Sequence, residues 1–348
     1  MKALVFNGPR DIRYEDYQDP ELTVDNAVIV KVEKCSICGS DLHIYHGDAI
    51  GNVEYGKDLE PFCVGHEFIG EVVEAGPMVY NSNVGDRVFV AGGAGCGHCG
   101  ACRSGVGRCP ATTAFGCSAR LQGGQAEFVQ VPNADRTIRK IPEYVSDEHA
   151  LLLTDAMATA KFGIDRCQIE PGDTVAVVGL GPIGLIGVEL AYIEGAAQVI
   201  AIDPVAERRE HASKLGATAL APGADLVSAV REATGGSLVQ RCFEASGAAA
   251  AITSVPRLMR SGGTASFIGL PQGGTGLDMA QLIYRGLTVR AGVAPVPQLW
   301  PSLLPLLKSR RLRAEGLFTH RMALSEGAEG YRMFDARDDG VLKILFEL

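Results

Sequence analysis

The chain has 348 residues, 47% of them hydrophobic and 21% charged, a balance that suits two folded domains and argues against disorder. A formal net charge of −9 argues against nucleic acid as a partner, because a phosphate backbone demands a basic face. Residues 1–8 contain too short an apolar run for a secretory signal, so the ten cysteines read as reduced thiols in a cytoplasmic protein rather than a disulfide framework.

Through the first 150 residues short β-type runs recur at 27–32, 69–74, 87–91 and 126–131. Gly, Asn and Pro clusters separate them, which predicts a β-barrel-like unit. From Pro171 the pattern changes to alternating strands and helices. A strand is predicted at 173–179, a helix at 182–194 and a strand at 198–203, followed by stretches at 238–246, 263–270 and 287–293. That alternation predicts a parallel sheet wrapped by helices. Residues 175–193 carry only Glu189 as a charge. Gly179, Gly181, Pro182, Gly184 and Gly187 interrupt them, so the run reads as strand, turn and helix, not a membrane span. Beyond Ala294 a helix at 298–308 and strands at 315–322 and 341–347 leave the alternation and are assigned back to the first domain. The chain therefore divides into 1–154 with 294–348, and 155–293. Repeats and low-complexity segments are absent.

Gly179-Leu180-Gly181-Pro182-Ile183-Gly184 fits G-x-G-x-x-G. The pattern alone is weak in a Gly-rich chain, but here it follows the apolar strand Val175-Ala176-Val177-Val178 and opens a helix with Pro182 at its favoured first position. The glycines let backbone approach a pyrophosphate seated at the positive end of the helix. Nineteen residues beyond Gly184, the second strand ends in Asp203, an acceptor for both adenosine ribose hydroxyls that repels a 2′-phosphate. The expectation is NAD rather than NADP, with Arg208 and Arg209 as the neighbours that favour the alternative.

Three separated segments carry metal-ligand chemistry: Cys35 to His43 with Cys38, Gly65 to Gly70 with His66, and Leu153 to Ala156 with Asp155. Singly, each also fits a plainer role, as a buried thiol, a satisfied core histidine and a helix cap. Cys96, Cys99, Cys102 and Cys109 fall within 14 residues, dense enough for a closed tetrahedral zinc site in a lobe at 92–117.

Cys38-Gly39-Ser40-Asp41, Gly65-His66-Glu67-x2-Gly70-x5-Gly76-x2-Val79, Val84-Gly85-Asp86-Arg87-Val88, the cysteine cluster and the glycine motif follow one another in order and spacing. In this the sequence resembles the zinc-containing medium-chain alcohol dehydrogenases over essentially its whole length. The resemblance implies an α/β protein made of a GroES-like β-rich catalytic domain and a Rossmann domain, with the active site in the cleft between them. It also implies two zinc ions per chain. Cys38, His66 and Asp155 become the three protein ligands of the catalytic one, leaving a fourth position for water or substrate oxygen. Asp as third ligand is similar to the bacterial secondary-alcohol and formaldehyde dehydrogenase branches. Glu67 becomes a transient ligand or outer-shell group, and Asp41 the hydrogen-bond partner that fixes the His66 ring. Ser40 and His43 become a proton relay, bridged by the coenzyme ribose, for an alcohol that gives its hydride to the nicotinamide. Thr159 lines the nicotinamide pocket. Cys35 and Cys63 match no ligand position and read as core.

The last cysteine spacing is x6 where the family usually has x7, with Cys117 as a less favoured substitute for Cys109. Competing readings are a threonine- or polyol-type dehydrogenase of the same superfamily, since Asp41 to Tyr45 and Val64 to Phe68 resemble threonine dehydrogenases, and a non-catalytic relative, which would lack the ligands. Expected partners are a small alcohol or ketone substrate and copies of the chain itself, a tetramer favoured over a dimer, with an interface around 282–294.

Overall fold

The computed structural model describes residues 1–48, 60–104, 109, 111, 113–271 and 276–348. Contacts divide the chain into two units: Met1–Asp155 with Pro295–Trp300 and Glu315–Leu348, and Ala156–Ala294 with Pro301–Ala314.

Among the described residues, the second unit holds six parallel strands, β1 (Thr174–Val178), β2 (Gln198–Ile202), β3 (Thr218–Leu220), β4 (Val239–Glu244), β5 (Met259–Phe267) and β6 (Thr288–Ala291). Their order is β3-β2-β1-β4-β5-β6, the doubly wound arrangement of a Rossmann-like sheet. Intervening helices are α1 (Pro182–Ile193), α2 (Ala206–Lys214), α3 (Leu226–Ala233), α4 (Ala249–Leu258) and α5 (Met279–Arg285). Val175 through Val178 are all buried, as expected of a central strand covered on both faces. One face packs Ala176, Val178, Ile200, Ile202 and Cys242 against Val230, Ile252 and Val255.

In the first unit, strand Val28–Ser36 lies inside a seven-stranded sheet and pairs antiparallel with Glu67–Ala75, Phe128–Val131 and Ile344–Glu347. A hairpin of Lys2–Gly8 and Asp11–Asp16 adds Leu4 and Phe6 to the core, where the Phe6 and Phe62 ring centroids are 5.3 Å apart. The register sets Ser36 opposite both Glu67 and Leu345. Three distant stretches of sequence therefore meet at one end of this sheet, just where Cys38, His66 and Lys343 leave their strands.

Some predicted elements are revised. The strand predicted at 315–322 is only His320–Ala323, because Ala314 (φ 47°) and Gly316 (φ 70°) turn the chain before it can extend. The strand predicted at 341–347 begins at Ile344, after a turn in which Val341 donates to the Asp338 carbonyl. Residues 301–314, read as part of the first domain's tail, cluster with the second unit. There the Glu189 carboxylate accepts the Arg313 and Ala314 amides at 2.9 Å each.

Candidate functional site

Cys38 follows the end of strand Val28–Ser36 and precedes the short helix Asp41–His46, whose N-cap is Ser40. His66 sits just before strand Glu67–Ala75, after Gly65 at φ 91°, a conformation in which a Cβ would strike the Gln125 side chain at 2.4 Å. Asp155 ends helix Asp147–Thr154. That helix end is tethered twice: Gly92 donates to the Thr154 carbonyl at 3.0 Å and the Trp300 indole to the Leu153 carbonyl at 2.9 Å.

These placements bring Cys38 Sγ to 3.5 Å and His66 Nε2 to 3.6 Å from Asp155 Oδ2, with the three ligand atoms all within 4.8 Å of one another. Zinc bonds of about 2.0–2.3 Å at tetrahedral angles require ligand atoms roughly 3.4–3.8 Å apart, so the donor set fits the ion. Asp41 holds two of the three segments together. Its Oδ1 is 2.9 Å from His66 Nδ1 and its Oδ2 accepts the Cys38 amide at 2.8 Å. With Nδ1 engaged, Nε2 is left facing the cluster.

Behind the ligands lies a buried ion pair of which the sequence reading contained only Glu67. Lys343, 1% exposed, donates to Glu67 Oε2 at 2.5 Å and to the Ile37 carbonyl at 3.3 Å. Ser36 Oγ donates to the same carboxylate oxygen at 2.6 Å, while Glu67 Oε1 is buried without a hydrogen-bond partner. A lysine inside the apolar run Val341-Leu342-Lys343-Ile344-Leu345-Phe346 was the available signal. Burial pushes the Cys38 thiol up, and the charges of Glu67 and Asp155 add to the effect. Burial opposes charge on His66, yet Asp41 and Asp155 outweigh it and raise its pKa well above the ordinary value. A site that concentrates carboxylates and a thiol around one lysine is electrostatically short of positive charge, which a dication supplies.

Ser40 Oγ is 3.4 Å from His66 Nε2. His43 is half-buried on the same short helix, its Nδ1 3.4 Å from Asp48 Oδ2. The Asp48 carboxylate also lies 3.7 Å from His46, whose other ring nitrogen meets Asp335 at 2.6 Å. Cys35 and Cys63 are buried in the core.

Cys96, Cys99, Cys102 and Cys109 also converge, with their sulfurs within 4.8 Å of one another and Cys96 and Cys109 at 3.6 Å. Tetrahedral thiolate ligation at about 2.3 Å requires sulfurs about 3.8 Å apart. Backbone N–H groups aim at the sulfurs, Cys96 N at Cys109 Sγ (3.5 Å) and Cys102 N at Cys99 Sγ (3.4 Å). The Cys96 and Cys109 pKa values are lowered chiefly by backbone hydrogen bonds from His98 and Cys96 respectively, whereas burial pushes the Cys102 thiol up to about 11. Residues 105–108 of the shortened spacing lie outside the described residues. Arg136 and Gln298 both donate to the Cys102 carbonyl at 2.9 Å and tie the lobe down.

In the second unit, Gly179 (φ 89°) ends β1, Gly181 is the N-cap of α1, and Pro182 and Ile183 form its first turn. A Cβ on Gly184 would sit 1.8 Å from the Gly179 carbonyl, whereas one on Gly181 would meet nothing within 4 Å. Helix packs on strand at Gly184, and space is left at Gly181, as a pyrophosphate cradle needs. Asp203, buried after β2, accepts the Leu180 amide at 2.7 Å and the Val205 amide at 2.8 Å. This fixes its carboxylate beside the glycine turn. Arg209 instead donates to the Asp203 and Pro204 carbonyls. Thr159 is half-buried in helix Ala156–Cys167 of the same unit.

Residues 24–143 match the alcohol dehydrogenase GroES-like domain, and residues 182–309 match the zinc-binding dehydrogenase family. A probable zinc-binding alcohol dehydrogenase of Mycobacterium tuberculosis is 39% identical over 347 residues, 99% of this chain and 88% of the relative. A sorbitol dehydrogenase of Bacillus subtilis is 34% identical over 274 residues, covering 78% of this chain and 75% of its own. Among solved structures, the alcohol dehydrogenase TADH from Thermus sp. ATN1 superposes with a TM-score of 0.89 at 33% identity, over 100% of this chain and 99% of that one.

Lys343→Met should destabilise the fold by about 3–5 kcal/mol in urea unfolding, because it leaves the Glu67 carboxylate buried without a cation. Adding Glu67→Gln should recover most of that loss. Equal instability of the single and double variants would show that Lys343 acts through packing alone.

Proposed function

The chain belongs to the zinc-dependent medium-chain alcohol dehydrogenase family, and on that premise we propose that it oxidises an alcohol, preferentially a secondary or cyclic one, to the ketone or aldehyde with NAD as hydride acceptor. The observation that carries this reading is the convergence of Cys38, His66 and Asp155 from three segments; three such donors on a tetrahedral ion would leave its fourth position for substrate oxygen. Bound zinc supplies a Lewis acid that makes the alcohol acidic near neutral pH. Around it, Asp41 orients His66, and the Lys343–Glu67 pair holds a fixed charge behind the ligands. Ser40 Oγ takes the alcohol proton, and the His43 ring, beside the Asp48 carboxylate, passes it toward solvent. The second unit, residues 156–294 with 301–314, serves as the coenzyme domain: Gly179, Gly181, Pro182, Ile183 and Gly184 cradle the pyrophosphate, Asp203 accepts the ribose hydroxyls, and Thr159 lines the nicotinamide pocket.

The second reading is a polyol- or threonine-type dehydrogenase, favoured by the likeness to the sorbitol enzyme. NADH formation across primary, secondary, cyclic and polyhydroxy alcohols plus threonine, with zinc-loaded protein, separates the two. Secondary or cyclic alcohols should turn over fastest, and Asp203→Ala should narrow the preference for NAD over NADP. Turnover of threonine or a polyol alone would replace the substrate class. Turnover with NADP alone would overturn the role given to Asp203.

A second, closed zinc at Cys96, Cys99, Cys102 and Cys109 is proposed to order its lobe without entering the chemistry. Cys102→Ser should lower bound zinc from two to one per chain and reduce stability, with turnover per active site retained. Loss of turnover in a folded variant that keeps the other ion would contradict this.

Met279, Ile283, Tyr284 and Val293 are exposed beside β6, the edge strand of the described sheet (Tyr284 at 89%). An apolar edge of this kind invites pairing, so we place a homo-oligomeric contact there and favour a tetramer in the reducing cytoplasm, where ten reduced cysteines are stable. Light scattering should give a tetramer or dimer that Tyr284→Lys weakens; a monomeric wild-type protein would refute the contact.

A further inference from the structure

Four arginines line an open cleft of about 560 Å³ on the second unit, together with Val227, Ser237, Leu238, Ser261 and Gln281. Arg231 lies in the last turn of α3, Arg257 in that of α4, Arg260 at the start of β5, and Arg285 in the last turn of α5. Ser237 and Leu238 immediately precede β4. The cleft is thus at the amino-terminal ends of β4 and β5, the end of the parallel sheet opposite the glycine turn and Asp203. It is separate from the coenzyme crevice, which lies outside the carboxyl ends of the strands.

In a chain of net charge −9 such a concentration needs an explanation. Several arginines elsewhere are matched to carboxylates: Arg87 with Glu33 and Asp147, Arg241 with Asp173, Arg321 with Glu148, Arg332 with Glu329 and Asp338. Among the described residues, Arg231, Arg257 and Arg260 form no ion pair, and no carboxylate lines the cleft. Asp278, which caps α5, accepts from the lining residue Gln281.

Arginines in last turns also complement helix dipoles, and Arg285 does so directly by donating to the Pro256 and Met259 carbonyls at the end of α4. Three helix C-termini contribute together only about −1.5 charges against four guanidinium groups, so a positive excess remains. Guanidinium forks match phosphate oxygens in pairs. We propose that this cleft binds a small molecule carrying a diphosphate, with Arg257 and Arg260 as its main contacts and Arg231 as a third, at a site distinct from the coenzyme's own pyrophosphate cradle.

The test is thermal unfolding of the zinc-loaded protein saturated with whichever of NADH or NADPH it binds, so that the coenzyme cradle is filled, while inorganic pyrophosphate is titrated at constant ionic strength. A saturable rise in Tm is expected. Arg257→Ala/Arg260→Ala should weaken that response at least tenfold while leaving coenzyme affinity unchanged, and Arg257→Lys/Arg260→Lys should recover part of it. Both arginines are exposed and their side chains make no hydrogen bond among the described residues, so the variants should fold. ADP in place of pyrophosphate distinguishes the source: tighter binding than pyrophosphate points to an organic diphosphate, and equal or weaker binding to the inorganic ion. Absence of a saturable response, or an undiminished one in the alanine variant, overturns the site.

Discussion

Asp41 divides its two carboxylate oxygens between the ring of His66 and the amide of Cys38, and the geometry of the candidate metal centre depends on that division. A side chain that gripped only the histidine would orient one ligand. By holding both, Asp41 sets the spacing between two segments that approach from different strands. It can do so because the sheet register has already put Ser36 opposite Glu67. The carboxylate itself is buried and compensated by these two donors.

Charge around this clamp is arranged in layers. The thiol of Cys38 and the carboxylate of Asp155 face each other at hydrogen-bonding distance, and the Lys343–Glu67 pair stands behind them with one carboxylate oxygen unpartnered. A buried pair of this kind contributes little net stability, but removing one member is costly, which keeps its charge fixed in place. A fixed field behind a metal site tunes the acidity of what the metal binds without touching it. The second unit follows a different logic, in which missing side chains matter: Gly184 permits helix and strand to touch and Gly181 leaves a space.

Much of this was legible locally. The glycine motif after an apolar strand, the acid ending the next strand and the four clustered cysteines each lie within one short window, where spacing alone restricts what the backbone can do. Asp155 had no such window. Its residue type fits a helix cap equally well, and it does end a helix; only the resemblance to a family marked it as a ligand. Lys343 and Ser36 carry no local signal of their role because their partner, Glu67, lies far away in sequence. The strand predicted at 315–322 was too long because positive φ angles at Ala314 and Gly316 are not visible in hydrophobic pattern.

By itself, then, the sequence determined the class of each half: a strand-rich first part, a parallel alternating second part, a glycine-rich turn and a cysteine cluster. These follow from periodicity and short-range spacing, which act before any tertiary contact forms. Tertiary structure decided which groups meet: Cys38 with Asp155, Asp41 across to His66, Lys343 under Glu67, and four arginines from three helices and a strand in one cleft. Such encounters depend on strand register and helix packing, where distances are set by neighbours remote in the chain and local propensity carries no information.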